Sequence, residues 1–265
     1  MGQGVLYDFE EGFGSVYGRY VRKRFSLGLL QRYDIRSVLE APCNAESYFA
    51  SPGTQSVVFG QAGCQVALLH HSSEIVEKTR EAWAALGLGH FTCDQHEDFG
   101  RLPYDDSRFD LVWSFDALPL MKDPASCAAE MVRVARSLVL VVVPNRGNLG
   151  YPVHALKTLV GRVSSPWGSS RWMAVAPVKR ALEKAGARVV ETGPIDMPPW
   201  PGFDALGSLG RAIRRRRVAS AAPASDDEVE RMLTKFTALE YSRLPRLLKL
   251  PLAHQLYVLA EKTNA

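Results

Sequence analysis

Cysteine is scarce: Cys43, Cys64, Cys93 and Cys127 are the four in 265 residues. No two of them form the CxxC pair of a zinc site, and their density is far below that of a secreted disulfide scaffold, so a reducing compartment is expected. Long apolar runs are missing as well. The longest uncharged one, Leu138 to Val143, falls well short of the ~20 residues that span a bilayer. The chain does not open with a basic-then-apolar signal peptide, and Gly2 is followed by Leu6 where N-myristoylation requires Ser or Thr. These absences lead to the expectation of a cytoplasmic protein without a transmembrane segment. Internal repeats are absent too, and no large excess of one charge is present: the net charge is +4, so the distribution of charge matters more than its sum.

What is present is ordinary globular material, 46% hydrophobic and 23% charged, enough to bury one full core. After an aromatic N-terminal stretch (Tyr7, Phe9, Phe13, Tyr17, Tyr20), expected to be helical within residues 1–30, strands and helices alternate. Ile35 to Glu40 and Gln65 to Leu69 read as strands, and Ser72 or Ser73 opens a helix through Ile75, Val76 and Trp83. Phe109 to Ser114 is a further strand. Asp123-Pro124 supplies a cap and a first-turn proline for a helix over Met131 and Val134, which feeds the doubly buried run Leu138 to Val143. A helix from Pro177 to Gly186 precedes the strand Ala187 to Glu191, and His254 to Ala260 closes the pattern as a last strand. Alternation of this kind predicts a doubly wound, mostly parallel α/β sheet with ligands at the carboxyl ends of its strands. Regularity breaks at Pro198-Pro199-Trp200-Pro201. From 202 to 250 the chain reads as a helical insertion, with the capping box Ser225-Asp-Asp-Glu228 opening its main helix.

Two stretches carry a family resemblance. Leu102-Pro103-Tyr104-Asp105-Asp106-Ser107-Arg108-Phe109-Asp110-Leu111-Val112 is similar to the "LPF-x-D-x-S-F-D-x-V" segment of class I S-adenosylmethionine-dependent methyltransferases, small-molecule branch, and Glu130-Met-Val-Arg133-Val134 is similar to their "E-x-x-R-V". The likeness covers roughly residues 30 to 262. It implies a seven-stranded Rossmann-like sheet with a last strand that pairs antiparallel at the sheet edge, one methyltransferase-like domain over 1–265, and S-adenosylmethionine as cofactor.

The resemblance assigns the cofactor site residue by residue. The loop after the first strand reads Glu40-Ala-Pro42-Cys43-Asn44-Ala45-Glu46. Glu40 matches the family's acidic position, while Pro42 and Asn44 stand at its first two glycines. Asparagine is the side chain best able to replace glycine in a left-handed conformation. Glu46 departs from the pattern, placing a carboxylate where a third glycine would meet the cofactor's own carboxylate. His70 stands where an acidic residue usually accepts both ribose hydroxyls; an imidazole makes one such bond, not two. Asp98 stands where an aspartate faces the adenine amino group, with Asp94 as the alternative, and either residue also suits a turn cap. The extra turn Ser51 to Ser56 is a second source of cofactor-facing backbone or a plain surface turn.

Methyl transfer needs alignment and exclusion of water more than covalent help, so no catalytic motif is obligatory. Substrate-side candidates follow the fourth and fifth strands: Asp116, Asn145, Tyr151 and His154, the last a candidate base beside His70. Five arginines fall within Arg211 to Arg217, a positive patch suited to an anionic small-molecule or lipid-like substrate or to peripheral membrane contact, or simply a solvated helix face. Without an RNA-binding aromatic motif beside it, a nucleic-acid role is disfavoured, and no metal site is expected. Two functions remain open: methyl transfer to a small-molecule or lipid-like acceptor, or a non-catalytic methyltransferase-like binding protein in which Glu46 and His70 mark a decayed cofactor site. An NAD-dependent dehydrogenase is disfavoured because the loop lacks the glycines that a pyrophosphate approaches.

Overall fold

The computed structural model describes residues 13–43, 54–161, 165–197 and 226–263. The strands are β1 (Ser37–Glu40), β2 (Gln65–His70), β3 (Phe91–Gln95), β4 (Phe109–Phe115), β5 (Ala135–Pro144), β6 (Ala187–Ile195) and β7 (Gln255–Lys262). They form one seven-stranded sheet in the order β3-β2-β1-β4-β5-β7-β6. β7 runs antiparallel between β5 and β6, inside the sheet and not at its edge as expected, because β6 pairs along its other side; the pairs among β1 to β5 are parallel. Six of these strands match the sequence reading. The seventh, β3, is short and only half buried, and its residues Thr92, Asp94 and Gln95 are exposed, so it lacks the apolar run that marks its neighbours.

Alternate residues of each strand point to opposite faces, which builds two cores. On one face Val38, Leu68, Leu111, Trp113 and Leu140 pack against α1 (Phe13–Arg32), α2 (Val57–Gln61) and α3 (Ser73–Ala85). On the other, Leu39, Leu69, Val112, Val141 and Val258 pack against α4 (Pro124–Val134) and α6 (Val175–Lys184). Asp123 caps α4 as expected, its carboxylate accepting from the Ala125 and Ser126 amides. Ser72 takes the cap position of α3 without making a side-chain cap bond. α5 (Tyr151–Gly161) follows β5 and buries no residue.

The stretches that carry the resemblance meet in a knot beside β4. Glu130 accepts from the Leu102 amide, and Arg133 holds Glu130, Asp106 and the Tyr104 and Leu102 carbonyls. Asp110 accepts from the Arg36 and Ser37 amides, which sets β1 against β4. These bonds hold the scaffold.

Within the expected insertion, residues 202–225 and the whole arginine cluster lie outside the described residues. Its described part forms α7 (Asp226–Thr234) and the short α8 (Arg246–Lys249). α7 rests on α1, burying Val229 and Leu233, with Lys23 bonded to Glu230 and Tyr20 to Thr234. Glu240 follows and accepts from the Asp196 and Met197 amides at the carboxyl end of β6. The described part therefore reaches the carboxyl-end side of the sheet.

The loop after β4 is seated against Gly168. That residue has φ +75°, and a Cβ on it would lie 2.2 Å from the Pro119 carbonyl oxygen. Gly168→Ala combines a left-handed penalty with a backbone clash, so it should cost about 2 kcal/mol and lower Tm by roughly 4–8 °C in a thermal melt. An unchanged Tm would show that this seat is soft.

Candidate functional site

The strand order reverses between β1 and β4. After β1 the chain turns to the α2 face, and after β4 it turns to the α4 face, which leaves a crevice at their carboxyl ends.

Glu40 ends β1 and is 1% exposed. Ser56 Oγ donates to its carboxylate at 2.5 Å, and Trp113 Nε1 donates to Ser56 Oγ at 3.0 Å. Burial pushes the Glu40 carboxyl up to about 7, although the Ser56 and Cys43 hydrogen bonds oppose the rise. The turn at 54–56 thus reaches the site through the Ser56 hydroxyl. Pro42 is buried, its carbonyl accepting from Ser114 Oγ at 3.3 Å. Asn44 and Glu46 lie outside the described residues.

His70 ends β2 and is buried. Its Nδ1 accepts from the Ser72 amide at 2.9 Å, and its ring stacks on His71 at 4.3 Å. With Nδ1 occupied as an acceptor, a neutral ring carries its proton on Nε2 and offers one donor. Asp98 sits in a turn beyond β3, where its carboxylate accepts from the Gly100 amide. Asp94 pairs with Arg80.

Across the crevice, Asp116 follows β4. It is 3% exposed and has φ 51°, a left-handed conformation that side chains adopt at a cost. One of its carboxylate oxygens accepts from Gln255 Nε2 at 2.6 Å; the other, Oδ1, has no partner among the described residues. Burial pushes Asp116 up to about 7, against the pull of Arg22. Asp196, at the end of β6, repeats the pattern: φ 63°, 5% exposed, Oδ1 without a described partner.

Between the two carboxylates lies Arg22 of α1, 6% exposed. Its Nε donates to Gln55 Oε1 at 2.8 Å and its Nη1 to Gln255 Oε1 at 3.3 Å, with Nη1 3.7 Å from Asp196. The guanidinium lies 4.4 Å from the centroid of the Phe115 ring. Burial lowers its pKa to about 10. Arg22 Nη2 and Gln55 Nε2 have no hydrogen-bond partner among the described residues. Buried polar atoms are normally paired, so two donors and two acceptors left open in one cluster point to a water or ligand between them.

The other substrate-side candidates are placed differently. Asn145 is buried, and its side chain is spent on the backbone: Nδ2 donates to the Leu250 and Ala253 carbonyls, and Oδ1 accepts from the Gly147 amide. It latches the β5–α5 turn to the segment before β7. Tyr151 opens α5, and His154 Nε2 pairs with Ser165 Oγ at 3.2 Å. Neither belongs to the Asp116 cluster. Arg22, Gln55, Asp196 and Gln255 escaped the sequence reading. Their one signal is Arg19 and Arg22 at helical spacing inside an otherwise apolar face of α1. No group of three or more His, Cys, Asp or Glu among the described residues is placed to hold a metal.

Residues 50–143 match the methyltransferase domain family. A curated relative, the sarcosine/dimethylglycine N-methyltransferase of Halorhodospira halochloris, is 37% identical over 75 residues, which span 28% of this chain and 27% of that protein. Among solved structures, the magnesium protoporphyrin IX methyltransferase of Synechocystis with bound S-adenosylhomocysteine superposes with a TM-score of 0.55 at 13% identity, covering 94% of this chain and 84% of its own. A geranyl diphosphate methyltransferase in complex with GPP and sinefungin gives 0.53 at 13% identity, covering 91% and 77%. The [4+2]-cyclase SpnF gives 0.55 at 14%, covering 92% and 81%. The solved structures share the fold, while the sequence likeness to methyltransferases is carried by residues 50–143 and by the 75 residues aligned with the curated relative.

Proposed function

We propose that this protein transfers a methyl group from S-adenosylmethionine to a small polar acceptor. The observation that carries the proposal is the division of the crevice: Glu40 and His70 on one side, the open Arg22–Asp116 cluster on the other.

The residues fit the cofactor. His70 supplies one N–H at the end of β2, suited to a ribose hydroxyl, and Glu40 supplies a carboxyl at the end of β1. Pro42 and Asn44 belong to the same loop, and Asp98 is assigned to the adenine end. When bound, the cofactor brings an already activated methyl group, so the protein has to align the acceptor and exclude water. The cluster under α1 suits the acceptor: Arg22 and Gln55 offer donors, and Asp116 and Asp196 offer acceptors. The relative from Halorhodospira halochloris is named for sarcosine and dimethylglycine, small molecules that carry both kinds of group. The polar lining favours such an acceptor over a wholly lipid-like one. Asp116, its carboxyl pushed up to about 7 by burial, is the candidate to take the proton that an attacking amine or hydroxyl loses.

S-adenosylhomocysteine should bind at one site by titration calorimetry and raise Tm with concentration. Replacing the His70 donor, His70→Leu, should weaken binding by about tenfold, the worth of one hydrogen bond. Absence of heat and of any Tm shift would hand the case to the non-catalytic reading.

Burial of Glu40 also sets a pH dependence. Its folded pKa is raised from 4.5 to about 7, so the folded state keeps a proton that the unfolded chain releases. Its contribution to stability is therefore full below the unfolded value and lost as pH rises through the folded one. Glu40→Gln keeps the acceptor for Ser56 and removes the charge. Melts across the pH range should show a variant more stable than wild type by a few degrees near pH ~8, with the difference vanishing toward pH ~4. A difference that is constant with pH would show that Glu40 does not titrate in this window.

A further inference from the structure

The carboxyl-end side carries an unusual surface. α5 presents Leu156, Leu159 and Val160 at 60%, 76% and 75% exposure, and Leu149 in the preceding turn is 63% exposed. In α8, Leu247 and Leu248 are 78% and 59% exposed. The two segments are stitched together, the Leu149 amide donating to the Pro251 carbonyl and Asn145 Nδ2 to the Leu250 carbonyl. Single exposed leucines are ordinary; a helix that buries nothing and turns three large apolar side chains outward is not.

The charge around these side chains is mostly positive. No Asp or Glu occurs from Asn145 to Leu182, nor from Tyr241 to Ala260. Arg146, Lys157, Arg171, Arg243 and Arg246 fall within those stretches, and Glu191 is the acid that faces Arg246 from β6. An apolar surface ringed by cations and poor in acids is complementary to an anionic lipid surface, where acyl chains receive the leucines and headgroups meet the basic side chains. No helix among the described residues is long and apolar enough to cross a membrane, so contact would lie in the interface.

We infer that the α5–α8 surface docks the protein peripherally on an anionic bilayer. The inference rests neither on the arginine run at 211–217 nor on the identity of the methyl acceptor. Docking would set the site beside the membrane, since α5 leaves the carboxyl end of β5, next to the strand that Asp116 follows.

The test is co-sedimentation of the full chain with vesicles of phosphatidylcholine mixed with phosphatidylglycerol, and with phosphatidylcholine alone, at low and high salt. The mixed vesicles should bind at least about tenfold more tightly at low salt, and added salt should erode the difference. Leu156→Ser/Leu159→Ser/Val160→Ser and Arg146→Glu/Lys157→Glu/Arg243→Glu should each lose at least about tenfold in binding while melting like wild type, because the changed side chains are exposed. Three results overturn the inference. Both variants keep wild-type binding, with or without its loss on reversing Arg214 to Arg217. Neutral vesicles bind as tightly as anionic ones. Or no vesicles bind and sedimentation velocity shows the leucine variant turning a dimer into a monomer, which assigns the surface to a second copy of the chain.

Discussion

The site exists because the chain leaves β1 and β4 toward opposite faces of the sheet. Parallel neighbours whose connections diverge cannot cover their own carboxyl ends, and that gap is where a ligand fits. Everything at the site is hung from this divergence. Ser56, on the path toward α2, reaches back to Glu40, and Asp116, on the path toward α4, is turned inward by a left-handed backbone. α1 then covers the sheet face and lowers Arg22 among the strand ends.

Burying that much polarity has an electrostatic consequence. Glu40 and Asp116 both have pKa values displaced to about 7 by desolvation, yet their surroundings differ. Glu40 is satisfied by Ser56 and Cys43, as a group with a structural neighbourhood would be. Among the described residues, Asp116 keeps one open oxygen beside an arginine with one open nitrogen. Displaced pKa values mark both, and the two differ in how far their hydrogen-bonding capacity is already met within the protein.

The fold was legible because its signals are local. Apolar runs marked six strands, Asp123-Pro124 marked the start of α4, and the antiparallel direction of the closing strand, though not its place inside the sheet, followed from the family resemblance. The motif that made the family visible turns out to be a scaffold knot: Glu130, Arg133 and Asp106 brace the segment before β4 and touch no part of the crevice. The site was less legible. Glu40, His70 and Asp116 sit at strand ends, where position alone suggests a role. Arg22, Gln55, Asp196 and Gln255 come together only through tertiary structure, across sequence separations of up to 233 residues, and apart from the arginines within the apolar face of α1 their local sequence does not distinguish them from ordinary polar residues. β3 and α5 were missed for the reason that makes them unusual: one strand is largely exposed, and one apolar helix buries no residue.

Hydrogen exchange read by mass spectrometry, with and without S-adenosylhomocysteine, tests the division of the crevice most directly. The account predicts protection in peptides that contain the ends of β1, β2 and β4, around Glu40, His70 and Asp116, with little change in the scaffold knot at Glu130 and Arg133. Protection confined to other regions, or none at saturating ligand, would contradict it.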